Sequence, residues 1–312
     1  MNPTLSIVVP LYNSAETLPR LLDELCALQI DGGVELVLVN DGSRDATEAN
    51  ALKLIETCRV PVTFVSLARN FGEHNAVLEG LRASRGAYVV TMDDDLQNPP
   101  SEVAKLLEVA RAEGREVVYS AYAEKKHDWW RNLGSRLTNL VADWSMDKPK
   151  GLYLSSFRCM SRFVADEIAK SSNPRPYIDA LIFQVTQNVG VVTVRHDPRA
   201  SGESGYTLRK LLRLWISMLT NASVMPLRFA TLLGMAMSVI GFVAFIAVFI
   251  NHFIEQEPLG WGSLMAALLV FSGTQLLLLG VVGEYIGRTY LRVSETPQSV
   301  VRFRKSNVIG DR

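Results

Sequence analysis

The chain is poor in the features that identify most protein classes at sight. Its 312 residues include three cysteines, Cys26, Cys58 and Cys159, set far apart with no CxxC pair. Neither a disulfide framework nor a zinc site is expected from them, and a reducing compartment fits. A basic excess is also missing, since 32 Lys and Arg balance 32 Asp and Glu. A general nucleic-acid binder would carry such an excess, so nucleic acid is not an expected partner. Both common phosphate loops are absent: there is no GxxxxGK[ST] and no GxGxxG after a strand. Gly280, Gly283 and Gly287 lie in an apolar stretch and read as packing or a helix end. GESGY at 202–206 is no hydrolase elbow, because Tyr206 occupies its last position. The N-terminus, MNPTLSIVVPLYN, has no basic region and no long apolar run, so no secretory signal is expected. Internal repeats and low-complexity tracts are not found.

What is present is an apolar surplus, 48% of residues, with a definite location. Phe229 to Ile250 and Leu259 to Gly283 carry no charge. Each exceeds the roughly 20 residues a helix needs to cross a bilayer. The alternative, two buried core helices, suits their length and flanks less well. The linker NHFIEQEPLG has no Lys or Arg, whereas Arg209, Lys210, Arg213 and Arg228 precede the first span. Arg288, Arg292, Arg302, Arg304 and Lys305 follow the second. The positive-inside rule therefore puts both termini in the cytoplasm and the linker outside. Residues 207–228 mix early basic residues with Leu, Trp and Met, and read as an amphipathic helix at the membrane surface; an ordinary helix of the head is the alternative.

Ahead of the spans, LSIVV (5–9), VELVLV (34–39), VTFVSL (62–67) and AYVVTM (87–92) are short, β-branched apolar runs. Their continuity suits a parallel sheet covered on both faces. Helical patterns lie between them, giving an α/β alternation. A further helix is expected over 101–114, capped by Ser101, and a further strand over 115–124. Polar clusters follow the strand ends in turn: PLYNSAE, NDGSRD, ARNFGEH and DDDLQ. Ligands of open α/β sheets sit outside the carboxyl ends of the strands, so four polar loops on one edge predict a site.

The fourth loop, VVTMDDDLQNPP at 89–100, is the most pointed. A solvated acidic turn, a helix cap and a metal site are its three readings. Asp93, Asp95 and Gln97 alternate, so on extended backbone they share a face and could hold a hard cation with a diphosphate. Asp94 would point to the opposite face and tolerate replacement. Its place beside three other polar loops favours the metal reading.

PLYNSAETL, VNDGSRD, ARNFGEHNA, DDDLQNPP, SGESGY and GEYIGR, in this order ahead of two spans, resemble the polyisoprenyl-phosphate glycosyltransferases. These are family 2 glycosyltransferases with a Rossmann-like GT-A head, similar to dolichol-phosphate mannose synthase and to bacterial undecaprenyl-phosphate glucosyl- and aminoarabinosyl-transferases. The resemblance covers nearly the whole chain and is weakest over 100–180. It implies that Pro10, Tyr12 and Asp41 hold the nucleoside, with Arg69 and Asn70 lining the nucleotide pocket. It implies Asp93, Asp95 and Gln97 as ligands of Mg²⁺ or Mn²⁺. Arg131 and Arg158 match basic positions near the reacting phosphates, and Arg199, Gly202, Ser204 and Tyr206 match a later motif. The chain departs from the family pattern at Ser14, Leu152 and Gly205.

The resemblance implies transfer, with inversion, of a sugar from a UDP-sugar to a polyprenyl (undecaprenyl) phosphate. Asp93, Asp95, Arg131 and Arg199 would act at the reacting centre. Arg131, Arg136, Arg209 and Arg213 are candidates to cradle the lipid phosphate, with a positive-inside topology signal the equal alternative for Arg209 and Arg213. His74 is either a contact of the sugar or diphosphate or a polar residue at a helix start. The expected organisation is a cytoplasmic head over 1–206, the amphipathic helix, two spans within 229–287, and a basic tail over 288–312. The setting would be the bacterial inner membrane, and the resemblance implies a homo-tetramer. The runner-up is a glycosyltransferase with a soluble or polymeric acceptor; the processive polysaccharide synthases of that kind carry Gln-x-x-Arg-Trp, absent here, and have more spans. A non-catalytic flippase component is opposed by the intact acidic motif.

Overall fold

The computed structural model describes residues 2–122, 149, 152–197, 225–255 and 260–307. It divides into a head, residues 1–215 with 297–312, and a helical unit, residues 216–296.

The head is built on β1 (Leu5–Leu11), β2 (Val34–Asn40), β3 (Val62–Leu67) and β4 (Tyr88–Thr91). All seven residues of β1 and of β2 are buried, as expected of strands covered on both faces. Helices α1 (Leu18–Cys26), α2 (Thr47–Leu54) and α3 (Glu73–Ala83) connect them. The sheet continues through β5 (Val117–Tyr122), β6 (Arg158–Ser161) and β7 (Val189–Val194). Helices α4 (Val103–Ala112), α5 (Arg162–Ala169) and α6 (Ile178–Val185) complete this part. Strand order is β7-β5-β6-β4-β1-β2-β3-β8, where β8 is Val301–Ser306. β1 runs parallel to β2 and β4, while β6 is antiparallel to β4 and β5.

The core forms where Leu5, Ile7, Val9 and Leu11 of β1 meet the cluster containing Leu18, Leu21, Leu22 and Leu25 of α1. Each such side chain contributes about 1.5–3 kcal/mol by leaving water. Pro10 sits in a central strand without breaking the ladder. Val8 opposite Thr91 is the last pairing with β4, so the missing Pro10 N–H lies beyond it.

Three expectations change here. The helix after the acidic loop is not capped by Ser101. Pro100–Glu102 form a short 3-10 turn, and α4 starts at Val103 behind Glu102. Cys26 and Cys58 are joined as a disulfide, contrary to the expectation of separate thiols. Packing of α1 beside α2 brings together cysteines 32 residues apart, a proximity that spacing does not reveal. The segment set apart as a basic tail contains β8, which pairs antiparallel with β3. Its alternation, with Val301 and Phe303 half-buried and Arg302, Arg304 and Lys305 exposed, is the pattern of an edge strand.

The helical unit contains α7 (Met225–Glu255) and α8 (Trp261–Val293). Both are long and apolar enough to cross a membrane, with Leu227–Ala244 and Val270–Leu291 as the most apolar windows. Both helices run past the uncharged stretches, α8 by a full turn and more beyond Gly283. Residues 207–224, read as an amphipathic helix, lie outside the described residues.

Candidate active site

The loops after β1, β2, β3 and β4 meet at the carboxyl edge of the sheet, and backbone donors stitch them together. The Asn13 N–H donates to Ser43 Oγ at 3.0 Å, and the Arg44 N–H donates back to Asn13 Oδ1 at 2.9 Å. The Ser14 N–H donates to Thr47 Oγ1 at 2.7 Å, and the Ala15 N–H to Asp45 Oδ2 at 3.1 Å. Asn13 adopts φ 54°, a left-handed conformation Asn tolerates. This leaves Tyr12 46% exposed beside the acidic loop, as a ring that can lie against a flat ligand.

Asp41, expected at the nucleoside, is buried and points into the protein. Its Oδ1 accepts the Phe71 N–H at 2.7 Å, and its Oδ2 accepts the Gly72 N–H at 2.9 Å. Burial pushes its carboxyl above the usual range, and these two N–H donors partly offset that. Gly42 must be glycine: at φ 63°, an added Cβ would lie 2.4 Å from the Arg69 backbone carbon. The second and third loops are thereby held in contact. Arg69 and Asn70 remain exposed, with the Arg69 guanidinium 4.4 Å from the centre of the Phe71 ring.

The acidic loop is not extended. β4 ends at Thr91, the Gln97 N–H folds back onto Asp95 Oδ1 at 3.1 Å, and Leu96 takes φ 61°. The expected alternation on one face is replaced by a tight Asx turn. Asp93 Oδ2 accepts the Ser156 hydroxyl at 2.5 Å. Asp94 is no spare residue on the opposite face. Its Oδ2 accepts the Ser14 hydroxyl and the Tyr12 N–H, the latter at 3.3 Å, so it clips the first loop to the fourth. Gln97 reaches toward His196, with 3.5 Å between Nε2 atoms, and its carbonyl accepts the Asp197 N–H at 2.8 Å.

Next to this loop lies a cluster of titratable side chains that the sequence motifs did not predict. Glu73, the first residue of α3, keeps an accessible surface yet is crowded by protein on several sides. Desolvation raises its carboxyl to about 7, and Asp93 and Asp94 add to this, against Arg158. Asp93 and Asp94 are raised as well, first by burial and then by their acidic neighbours. Arg158, expected near reacting phosphates, is 3% exposed and ion-paired with Asp179. The Tyr119 hydroxyl donates to the same Asp179 oxygen at 3.0 Å. His74 lies edge-on to Tyr177 at 5.0 Å, and burial lowers its pKa to about 4. Arg131, Arg199, Ser204 and Tyr206, like Arg136, Arg209 and Arg213, fall outside the described residues.

Among the described residues no three of His, Cys, Asp and Glu converge as a ready metal cage. That still fits Mg²⁺ or Mn²⁺, which take one or two carboxylates and share substrate phosphates. Asp93, Asp95 and the Gln97 amide supply hard oxygens, and a cation would offset both the burial and the acidic neighbours that raise Asp93.

Residues 6–168 match the family model described as glycosyl transferase family 2, and residues 225–289 match the GtrB C-terminal hairpin. The chain belongs to glycosyl transferase family 2. It is 36% identical over 300 residues to the undecaprenyl-phosphate 4-deoxy-4-formamido-L-arabinose transferase of Pseudomonas aeruginosa (strain PAO1), covering 94% of this chain and 88% of that one. A relative of the same name from Serratia proteamaculans is 32% identical over 311 residues, covering 98% and 94%. The resemblance to polyisoprenyl-phosphate glycosyltransferases thus holds along almost the whole length of this family 2 enzyme.

Glucosyl-3-phosphoglycerate synthase from Mycobacterium tuberculosis, crystallised with Mn²⁺, UDP and glucosyl-3-phosphoglycerate, shares the fold. The TM-score is 0.53 at 22% identity, covering 70% of this chain and 78% of that one. The expected GT-A head is therefore the observed one. Glu73, Asp179, Ser156 and His196 were not anticipated. His196 had a usable signal: it follows β7, whose parallel pairing with β5 brings its end to the same edge as the other loops.

Proposed function

We propose that this glycosyltransferase moves a sugar from a UDP-sugar to a polyprenyl phosphate, of undecaprenyl type, at the cytoplasmic face of the bacterial inner membrane. The product would be a lipid-linked sugar for envelope glycan or lipopolysaccharide modification. One observation carries the reading: the four stitched loops end in an oxygen-rich acidic turn, on a head whose chain continues into two membrane-length apolar helices. The names of the relatives favour the acceptor class, and the Mn²⁺ and UDP held by the fold neighbour favour the donor class.

Tyr12 offers a stacking surface for the base, and Arg69 and Asn70 are exposed on the third loop. A divalent cation bound by Asp93, Asp95 and Gln97 would neutralise charge on the departing diphosphate. Arg199 would assist there, while Arg131 and the basic residues around 209–213 would bind the acceptor phosphate. A phosphate monoester with a second pKa near 6 is already ionised at neutral pH, so the attack needs no strong base. Its oxygen displaces the nucleotide in line, which inverts the anomeric carbon.

β8 supports a cytoplasmic hairpin topology. A strand that follows both apolar helices completes the head's own sheet, which favours a chain that returns to the side it left. Flanking Arg and Lys then fall on the cytoplasmic side. A tetramer is proposed on the family resemblance alone.

The test is a donor panel scored by UDP release from the purified protein, with and without undecaprenyl phosphate and Mn²⁺. Release with at least one UDP-sugar that needs both additions supports the reading. Release unaffected by the lipid would overturn the acceptor assignment.

A further inference from the structure

Resting on that reading, we infer that Arg302 and Glu48 are positioning residues for the nucleotide-binding loops, linked to them by a hydrogen-bond relay from β8. The relay starts on the strand that follows the second apolar helix. Arg302 Nη2 donates to Glu48 Oε2, and to Ser66 Oγ at 3.0 Å. The Ser66 hydroxyl donates to the same Glu48 oxygen at 2.6 Å, and Asn40 Nδ2 does so at 3.0 Å. Asn40 is the last residue of β2 and is 1% exposed. Its Oδ1 accepts the Ser43 N–H at 3.1 Å, and Ser43 Oγ accepts the Asn13 N–H at 3.0 Å. The path therefore ends on both loops beside Tyr12.

The chemistry gives the relay a direction. An ionised carboxylate only accepts, so Glu48 dictates which end of the Asn40 amide faces it. With Nδ2 turned to Glu48, Oδ1 must face Ser43 and close the turn around Gly42. Replacing Glu48 by Gln introduces a donor and lets the amide turn over, which leaves the Ser43 N–H without its acceptor. Arg302 is 52% exposed on its side chain, so as a lone ion pair it would contribute little. Its effect lies in holding an oxygen that already takes two other donors.

Two neighbours on the strand are natural controls. Arg304 faces Glu79 at 3.6 Å and Lys305 faces Glu56 at 2.8 Å, and neither contact leads to the donor loops.

The experiment measures UDP affinity by calorimetry with Mn²⁺ on the full chain in lipid nanodiscs. Steady-state kinetics and amide hydrogen exchange of the 40–45 segment accompany it. Arg302→Met and Glu48→Gln should each weaken UDP binding and raise donor KM roughly tenfold, the loss of about one charge-assisted contact. kcat at saturating donor should stay within about twofold, as positioning of a ground-state contact predicts. Arg302→Lys should restore most of the affinity, and Arg304→Met should leave it unchanged. Exchange at 40–45 should quicken in both relay variants. Wild-type UDP affinity in Arg302→Met, or an equal loss in Arg304→Met, would overturn the inference. If the wild-type protein binds no UDP, the donor reading fails, while unchanged exchange at 40–45 would separately sink the relay.

Discussion

The Ser14 hydroxyl donates to Asp94 Oδ2, the oxygen that also takes the Tyr12 N–H at 3.3 Å. A residue that departs from the family pattern is thus paired with the middle aspartate of the acidic run. Ser14 is 5% exposed and its own N–H is held by Thr47, so the contact is a built joint between the first and fourth loops. Ser14→Ala should cost about 1 kcal/mol, because it strips a donor from a half-buried carboxylate. Asp94→Ala should raise donor KM roughly tenfold with a smaller fall in kcat, since it unties the first loop from the fourth rather than removing a metal ligand, while the Tyr12 N–H keeps its 3.0 Å bond to Ser14 Oγ. Denaturant midpoints and donor kinetics check the two. Wild-type donor KM in Asp94→Ala would return that residue to the role of a bystander.

Asp95→Ala should reduce transfer below about a thousandth of wild type, while the thermal midpoint is kept within a few degrees. Binding of Mn²⁺ with UDP, followed by the paramagnetic signal of the ion, should be lost in the same variant. Retained Mn²⁺ binding would refute the ligand assignment.

The Arg158–Asp179 pair is buried on both sides, at 3% and 8% side-chain exposure. Removing one partner leaves a charge without compensation, so Asp179→Ala should destabilise the head by about 3–5 kcal/mol. A double replacement, Arg158→Met with Asp179→Leu, should recover a good part of that. Chemical denaturation of wild type, Arg158→Met, Asp179→Leu and the double variant measures the coupling, and additive losses would mean that the two side chains act separately.

His74 gives a pH dependence with a defined sign. Its pKa falls from 6.5 to about 4 in the folded protein, mainly through burial. Between those values the unfolded chain binds a proton that the folded chain refuses, so stability is full above about 6.5 and is lost as pH falls. By pH 5 the loss should be about 2 kcal/mol, at roughly 1.4 kcal/mol per unit. His74→Phe should lack this part of the acid sensitivity. Equal slopes for wild type and variant between pH 7 and 5 would contradict the assignment.

Much of the head was legible because its central strands are buried on both faces and read as unbroken apolar runs, as in β1 and β2. The polar loops were legible through a topological rule, since parallel strands must end on one edge. β8 was hidden by its own composition: Arg302, Arg304 and Lys305 look like a solvated tail until β3 supplies the partner. The Cys26–Cys58 link was equally invisible, because it depends on how two helices pack rather than on spacing. Within the site, the residue types of the acidic turn were readable but not its shape. Asp95 and Leu96 bend the backbone, and Asp94 turns inward to Ser14. Glu73 escaped notice because a first-turn glutamate looks like ordinary helix chemistry, and only the fold sets it near Asp93.

The central claim is sugar transfer to a membrane-borne phosphate, and one measurement addresses it most directly. Radiolabelled UDP-sugars are incubated with the protein, undecaprenyl phosphate and Mn²⁺, and the mixture is extracted with organic solvent. The account predicts label in the lipid phase for at least one donor, dependent on the lipid and the cation and abolished by Asp95→Ala. Label confined to a water-soluble acceptor, with none in the lipid phase for any donor, would contradict it.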